Sequence, residues 1–253
     1  MPDPVPEPLP QPVVRDHVLR DVAFRDGSTL AELRLRCTTL GDPSRPAVLL
    51  LHETCGSAAS LLAPGFAGAL FGPGQPLDAR RHYLVLPDAI GAGGSSKPSD
   101  GVRAGFPRYT YDDMVDAQHR LVTEVLGIRR LRLILGNSMG GMHAWLWATR
   151  YPGLADAVVP LACLPAPMAG RNWMLRRLLI DAIRDDPGWQ GGAYTEQPPG
   201  FRQARLWFGL ATSGGSLALH ARAPTRAAAD AWLDERRGEV SGDANDTLFQ
   251  YEA

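Results

Sequence analysis

The sequence predicts an α/β fold built on a mostly parallel β-sheet with flanking helices, and three observations support this prediction. Amphipathic stretches such as residues 111–128 alternate with short apolar runs, which implies right-handed crossovers on one sheet. The runs are continuous rather than alternating, as in strands buried on both faces. With 253 residues, 45% of them hydrophobic, the chain can bury a sizeable core. The runs are residues 47–52, 82–87, 131–136 and 156–163.

Other segments flank this α/β core in the sequence. Residues 13–40 roughly alternate apolar and polar side chains around a turn signal at Asp26-Gly27-Ser28, which predicts an antiparallel hairpin. After Cys163 the pattern is helical, without a further strand run. We therefore predict a core over residues 13–165 and a helical cap over 166–253. Prolines at every second position make residues 1–12 a proline-rich disordered arm, with a proline-motif ligand as the alternative.

Composition excludes several classes of function. The net charge of -1 and the pI near 6.6 argue against nucleic acid or an anionic membrane as a partner. No apolar run is long enough to span a bilayer, and the N-terminus does not resemble a secretory signal. Cys37, Cys55 and Cys163 are too scattered for a disulfide framework or a metal site, which predicts free thiols in the cytoplasm.

The strongest chemical signal is Gly136-Asn137-Ser138-Met139-Gly140, which lies between a buried strand and a helical stretch. G-x-S-x-G in this strand–turn–helix setting is typical of a nucleophile elbow, where the glycines allow a tight turn that exposes the serine. We predict Ser138 as the catalytic nucleophile and Gly136 and Gly140 as the glycines of the elbow. The alternative is a glycine-rich turn that carries an ordinary surface serine.

A second signal, His52-Glu53-Thr54-Cys55-Gly56, follows another buried strand. In this architecture the backbone N–H of a residue in that loop and the N–H after the nucleophile form the oxyanion hole. We predict Thr54 and Met139 as these donors. His52 has a simpler interpretation as a strand-end histidine that packs on its loop, and Cys55 as a small loop residue without a catalytic partner.

A glycine- and serine-rich loop, residues 91–96, follows a third strand. It matches neither phosphate-binding pattern, G-x-x-x-x-G-K-[ST] or G-x-G-x-x-G. We expect it at the rim of the site.

At these residues the sequence resembles the α/β-hydrolase superfamily and, within it, the homoserine O-acetyltransferase-like branch. The resemblance covers most of residues 40–253 and includes segments 66–101, 136–145, 181–194 and 243–253. It implies that Ser138 accepts an acyl group from an acyl-CoA or ester donor and passes it to a hydroxyl or to water. It implies neither a metal nor an organic cofactor, and only by analogy a homodimer through the cap helices.

Two departures affect what the resemblance implies. Family acetyltransferases hold the carboxylate of the amino acid with a basic residue on the cap helix, where this chain has Ile180. Arg171, Arg176 or Arg177 are candidate substitutes, or else solvated helix cations. The family helix also often carries glutamine where this chain has His143.

The general base and acid of the triad are not identified in this chain. His143 lies about 140° around the helix from Ser138, and His220 precedes any later strand. No aspartate after Ser138 ends an apolar strand run. The resemblance therefore implies that the chain corresponds to the amino-terminal two-thirds of such an enzyme, with the last strands missing and residues 156–163 left as an aggregation-prone edge.

Two hypotheses follow. In the first, the protein is a serine acyltransferase or esterase whose activity in this form is weak, because a serine without imidazole retains only about 10³ to 10⁴-fold catalysis over water. In the second, it is a non-catalytic truncated remnant or a small-molecule binding module of the same fold.

Overall fold

The structure is a computed structural model that describes residues 9–213 and 215–253. Within these residues six strands form one sheet in the order β1-β2-β4-β3-β5-β6. The β3–β4, β3–β5 and β5–β6 pairs are parallel, so the predicted mostly parallel α/β sheet is confirmed. Most of the proline-rich arm, residues 1–8, lies outside the described residues. The strands are β1 Val13–Ala23, β2 Thr29–Leu40, β3 Ala47–Leu51, β4 Tyr83–Pro87, β5 Leu131–Asn137 and β6 Val158–Leu161.

The predicted hairpin is formed by β1 and β2, which pair antiparallel from Val13 opposite Thr39 to Ala23 opposite Thr29. Its turn lies at the predicted residues, where Gly27 has φ +87° and the Asp26 carboxylate accepts the N–H of Ser28 at 2.8 Å. This Asx-type bond and the glycine explain why the chain reverses here.

Strands β3 and β4 are buried on both faces, as their continuous apolar sequence predicts. The same prediction is wrong for β6, which is half-buried to exposed because it is the outermost strand of the described sheet. All five residues of β3 are at most 6% exposed. Helices α1 (Ala58–Leu62) and α2 (Pro64–Leu70) contribute to one core cluster with the side chains of alternate strand residues, among them Val48 and Leu84. This packing fixes the loop between β3 and α1, which carries Thr54.

Two further helices flank the sheet. Helix α3 (Tyr111–Arg120) begins with a capping box between Thr110 and Asp113, and a π-helical turn over Leu121–Val125 completes the predicted helical stretch. Helix α4 (Met139–Arg150) packs on β3, β5 and β6 and buries Trp147. It begins directly at Ser138.

The described chain divides into two compact units. One comprises the described residues of Met1–Lys97 with Pro107–Ala166 and Ala253, and it contains the sheet. The other, the helical unit, comprises Pro98–Phe106 and Pro167–Glu252. Its helices are α5 Gly170–Arg184, α6 Pro199–Thr212, α7 Ser216–Arg222, α8 Arg226–Glu239 and α9 Ala244–Glu252.

Arg176 in the helical unit is not a solvated cation, and that alternative is wrong for this residue. It is 5% exposed, donates through Nε to Asn172 at 2.9 Å and stacks over the Tyr251 ring at 4.9 Å. Arg177 does lie at the surface, where it pairs with Asp181. Helix α9 begins at Ala244, within the segment 243–253 that carries part of the resemblance.

Strand β6 is the outermost strand of the sheet in the described part of the chain. Val158 and Val159 are half-buried, and Leu161 is 38% exposed. An apolar strand on an edge is a template for pairing with other chains, so its tendency to aggregate stays a prediction. No helix among the described residues is long and apolar enough to cross a membrane.

Candidate active site

Ser138 stands at the junction of β5 and α4 in a backbone conformation that side-chain-bearing residues rarely adopt. Its φ is +54° and its ψ is -112°, and the residue is half-buried. No hydrogen bond holds its hydroxyl within the described residues. The strained turn places the side chain between the carboxyl end of a strand and the positive end of a helix dipole.

The glycines around Ser138 are required by close backbone contacts rather than by turn geometry alone. A Cβ on Gly136 would lie 1.9 Å from the carbonyl oxygen of Gly140, and a Cβ on Gly140 would lie 2.2 Å from that of Leu51. A Cβ on Gly141 would lie 2.6 Å from the Cys163 sulfur. The motif therefore allows α4 to begin in contact with the ends of β3, β5 and β6.

Two backbone hydrogen bonds fix the turn to the neighbouring strands. The N–H of Ser138 donates to Leu161 O at 2.9 Å, and the N–H of Gly140 donates to His52 O at 3.0 Å. Between them, the N–H of Met139 has no acceptor among the described residues. A helix N-terminus with an open donor beside a serine is suited to stabilise negative charge.

Thr54 lies in the loop that follows β3, the strand adjacent to β5. The loop turns sharply: Cys55 has φ +58°, and the N–H of Gly56 donates to Glu53 O at 3.0 Å. Ser138, Met139, Gly136 and Gly140 thus lie in one turn, and Thr54 lies in the loop after the next strand. The functional roles predicted for these residues are taken up below.

His52 lies at the start of this loop, and both nitrogens of its ring form hydrogen bonds with backbone groups of the described residues. It is 2% exposed, and its Nε2 accepts the N–H of Ala89 at 2.9 Å, so Nδ1 carries the proton that contacts Glu53 O at 2.7 Å. Burial lowers the pKa of His52 below its usual value. Because both ring nitrogens are occupied, His52 is not available as a base for Ser138.

Two histidines follow Ser138 in the sequence, His143 and His220. His143 is 1% exposed and contacts the edge of the Tyr111 ring and, through Nδ1, the Gln118 amide at 3.3 Å. His220 is exposed on α7. Among the described residues of the sheet unit, no hydrogen bond joins the His143 ring to Ser138.

Sequence reasoning missed one residue of this region, Asp88, which follows β4 directly. Its carboxylate is buried and accepts the N–H groups of Ala58 at 2.7 Å and Gly94 at 2.8 Å. An aspartate at the carboxyl end of a buried parallel strand was the signal that could have identified it.

No group of three or more His, Cys, Asp or Glu side chains suited to a metal ion occurs in the part of the chain described here. The three cysteines are free thiols. Burial raises the pKa of Cys163, beside α4, and that of Cys37 to about 12, which keeps both as neutral thiols.

The strain at Ser138 is expected to affect stability. Ser138→Gly should be about 1 kcal/mol more stable than Ser138→Ala, since glycine adopts a positive φ without the steric cost of a Cβ. Urea unfolding of both variants measures the difference. The same pair at Ser241, an exposed serine outside the positive-φ residues, should favour alanine or show no difference. Equal stabilities at position 138 would contradict a strained serine.

Comparison with known proteins agrees with this geometry. Residues 46–199 match the family model described as the alpha/beta hydrolase fold. An acetyl esterase, MekB, superimposes with a TM-score of 0.80 at 22% identity, over 95% of this chain and 73% of that chain. At this identity the superposition shows the fold alone.

Curated relatives are more similar in sequence. The homoserine O-acetyltransferase of Solidesulfovibrio magneticus is 39% identical over 178 residues, which are 64% of this chain and 44% of the relative. That of Moorella thermoacetica is 34% identical over 191 residues, 68% of this chain and 50% of the relative. The chain spans about half the length of the curated relatives it matches.

Proposed function

Because this chain belongs to the α/β-hydrolase fold family, we propose that Ser138 is the nucleophile of an acyl-transfer reaction, in an O-acyltransferase or an esterase. The observation that carries the proposal is the backbone of Ser138, with φ +54° at the junction of a buried strand and a helix N-terminus. An ordinary surface serine has no need of this conformation, which costs about 1–3 kcal/mol.

In the proposed reaction Ser138 Oγ attacks the carbonyl carbon of an ester or thioester. The N–H groups of Met139 and Thr54 stabilise the negative charge on the carbonyl oxygen. The bond to the leaving group then breaks, the leaving group departs with the proton, and an acyl-serine remains. A hydroxyl or water attacks the acyl-serine, which releases the new ester or the acid and restores the serine.

We propose that both the acyl donor and the acyl acceptor are small molecules. The names of the curated relatives favour acetyl transfer to a hydroxyl. We propose acyl-CoA as the co-substrate that donates the acyl group. Ile180, which is 3% exposed on α5, leads us to propose an acceptor other than homoserine. We also propose a cytoplasmic protein with no metal or organic cofactor, which forms a homodimer through its cap helices.

Acetylation of Ser138 by p-nitrophenyl acetate tests the proposal. We expect one acetyl group on Ser138, located by peptide mass spectrometry, and none at that position in Ser138→Ala. Ser241→Ala should be acetylated like the parent. Cys55→Ala removes the neighbouring thiol as a competing nucleophile without affecting the acetyl-serine.

The same experiment is repeated on the native protein from its source cells. This preparation tests whether acetylation of Ser138 requires residues outside this sequence. An acetyl group on Ser138 in either preparation supports the proposal. Its absence from both, or equal total acetylation in Ser138→Ala, contradicts it. Transfer to homoserine or to water from acetyl-CoA then distinguishes the transferase from the esterase.

A second candidate is a non-catalytic small-molecule binding module. The observation that favours it concerns the Ser138 hydroxyl. Within the described residues this hydroxyl has no hydrogen bond to a histidine or to any other group. This candidate predicts that an unreactive ester analogue binds equally to the parent and Ser138→Ala, with no acyl-enzyme in any preparation.

A further inference from the structure

The segment between β3 and α1, residues 53–57, is held at both of its ends by residues that follow β4. We call this segment the oxyanion loop. At its carboxyl end, the buried Asp88 carboxylate accepts the N–H of Ala58 at 2.7 Å. At its amino end, the Nε2 of His52 accepts the N–H of Ala89 at 2.9 Å. Two adjacent residues of one chain segment therefore fix both ends of the loop.

Asp88 is itself rigidly placed. Its N–H donates to Arg36 O on β2 at 2.9 Å, and its carbonyl oxygen accepts the Ser95 hydroxyl at 2.7 Å. The residue is 4% exposed, and a buried carboxylate is stable only where donors surround it. The hydrogen bonds to Ala58 and Gly94 supply these donors.

The glycine- and serine-rich loop, residues 91–96, has its explanation here. A Cβ on Gly93 would lie 2.1 Å from Asp88 Oδ2 and 3.0 Å from the Ser57 Cβ. The glycines let the loop wrap closely around the carboxylate, and Gly94 donates to it. This loop therefore surrounds a protein carboxylate, which occupies its donors in place of an external anion.

We propose that Asp88 and His52 are positioning residues, which act through the oxyanion loop to set where the N–H of Thr54 lies relative to Ser138. This inference rests on the proposed function. Neither side chain is proposed to touch the substrate. His52 also bonds to the elbow directly, because its carbonyl oxygen accepts the N–H of Gly140 at 3.0 Å. The oxyanion loop and the elbow thus share one anchor.

The test compares Asp88→Asn and His52→Phe with a matched control, Asp78→Asn. Asp78 is also a buried aspartate, 1% exposed, and it accepts the N–H groups of Gly74 and Arg80 in a different loop. The readout is the rate of Ser138 acetylation by p-nitrophenyl acetate as a function of its concentration. We expect the two site variants to lose about tenfold or more in the saturating rate, as small misplacements of catalytic groups do.

The half-saturating concentration should change little, because the loss concerns the oxyanion rather than the bound ester. Asp78→Asn should keep the parent's rate at a comparable loss of stability. If Asp88→Asn and Asp78→Asn acetylate equally fast, the positioning role is overturned. An unchanged rate with a raised half-saturating concentration also contradicts it.

Amide hydrogen exchange tests this inference independently of the proposed function, because it needs no acetylation. It also applies when a variant is too unstable for the rate measurement. We expect faster exchange over residues 53–57 in Asp88→Asn but not in Asp78→Asn, whether or not Ser138 is acetylated. Ala58→Pro is a second variant that tests the same contact, because it removes the N–H that donates to Asp88. Proline is tolerated at this position, since Ala58 is the first residue of α1 and the preceding Ser57 is extended. Unchanged exchange in both Asp88→Asn and Ala58→Pro would refute the inference that Asp88 holds the oxyanion loop in place. A parent protein that is never acetylated would instead refute the proposed function.

Discussion

Gly140→Ala is expected to destabilise the protein by about 3 kcal/mol or more and to abolish acetylation of Ser138. The added Cβ would lie 2.2 Å from Leu51 O and 2.8 Å from His52 O. Both are backbone atoms of a buried strand end, so no flexible side chain can move aside. The start of α4 must shift, which breaks the bond from the Gly140 N–H to His52 O and displaces Ser138.

Urea unfolding at neutral pH measures this effect, and Gly68→Ala is the matched control. Gly68 lies in α2 with nothing within 4 Å of an added Cβ. Alanine there should stabilise the protein by up to about 1 kcal/mol through helix propensity. A Gly140→Ala protein as stable as the parent would show that α4 does not contact the end of β3 as described.

Acid is expected to destabilise the protein through His143. Burial, with a smaller electrostatic effect of the His52 ring, lowers the pKa of His143 to about 3, against its ordinary value of 6.5. Protonation would also place a proton on Nδ1 against the Gln118 amide, which already donates there. Between pH 6.5 and 3, His143 therefore binds a proton in the unfolded chain but stays neutral in the native protein.

The sign and the pH window follow from these two pKa values. Well above pH 6.5 His143 binds almost no protons in either state and adds no pH dependence. As the pH falls from 6.5 towards 3, the unfolded state gains protons and stability is lost, by about 2 kcal/mol at pH 4.5. Unfolding free energies at several pH values for the parent and for His143→Gln give the difference.

His143→Gln removes this titration and leaves the others in place. Its pH profile should be flatter than the parent's by that amount between pH 6.5 and 4.5. The lowered pKa of His52 contributes to both profiles and cancels in the difference. Parallel profiles for the two proteins would contradict a buried neutral His143.

The sequence was a reliable guide where one physical signal dominates. The continuous apolar runs specified the parallel strands, and residues 47–51 form one that is covered on both faces. The run of residues 156–163 predicted the same burial, but its strand, β6, is outermost in the described sheet and is only half-buried. Asp26-Gly27-Ser28 specified the hairpin turn through its side-chain bond and positive φ. The spacing of Gly136, Ser138 and Gly140 specified the strand–turn–helix junction.

Long-range polar contacts could not be read from the sequence in the same way. Asp88 bonds to Ala58, 30 positions earlier, and this pairing depends on which strands are neighbours. The sequence indicated for His52 a strand-end histidine that packs on its loop, but not its partner, the Ala89 N–H, which lies 37 positions away. Two interpretations of Arg176 stayed open, a carboxylate-binding residue or a solvated cation, since helical spacing does not reveal that the Arg176 guanidinium lies over the Tyr251 ring.

The outermost strand of the described sheet is hydrogen-bonded to Ser138, the proposed nucleophile. Leu161, the last residue of β6, accepts the N–H of Ser138. Fraying of β6 would release that N–H and loosen the serine, whereas a further strand paired along β6 would hold it more firmly. We therefore expect a polypeptide that pairs with this edge to change the rigidity of the Ser138 backbone through this one hydrogen bond.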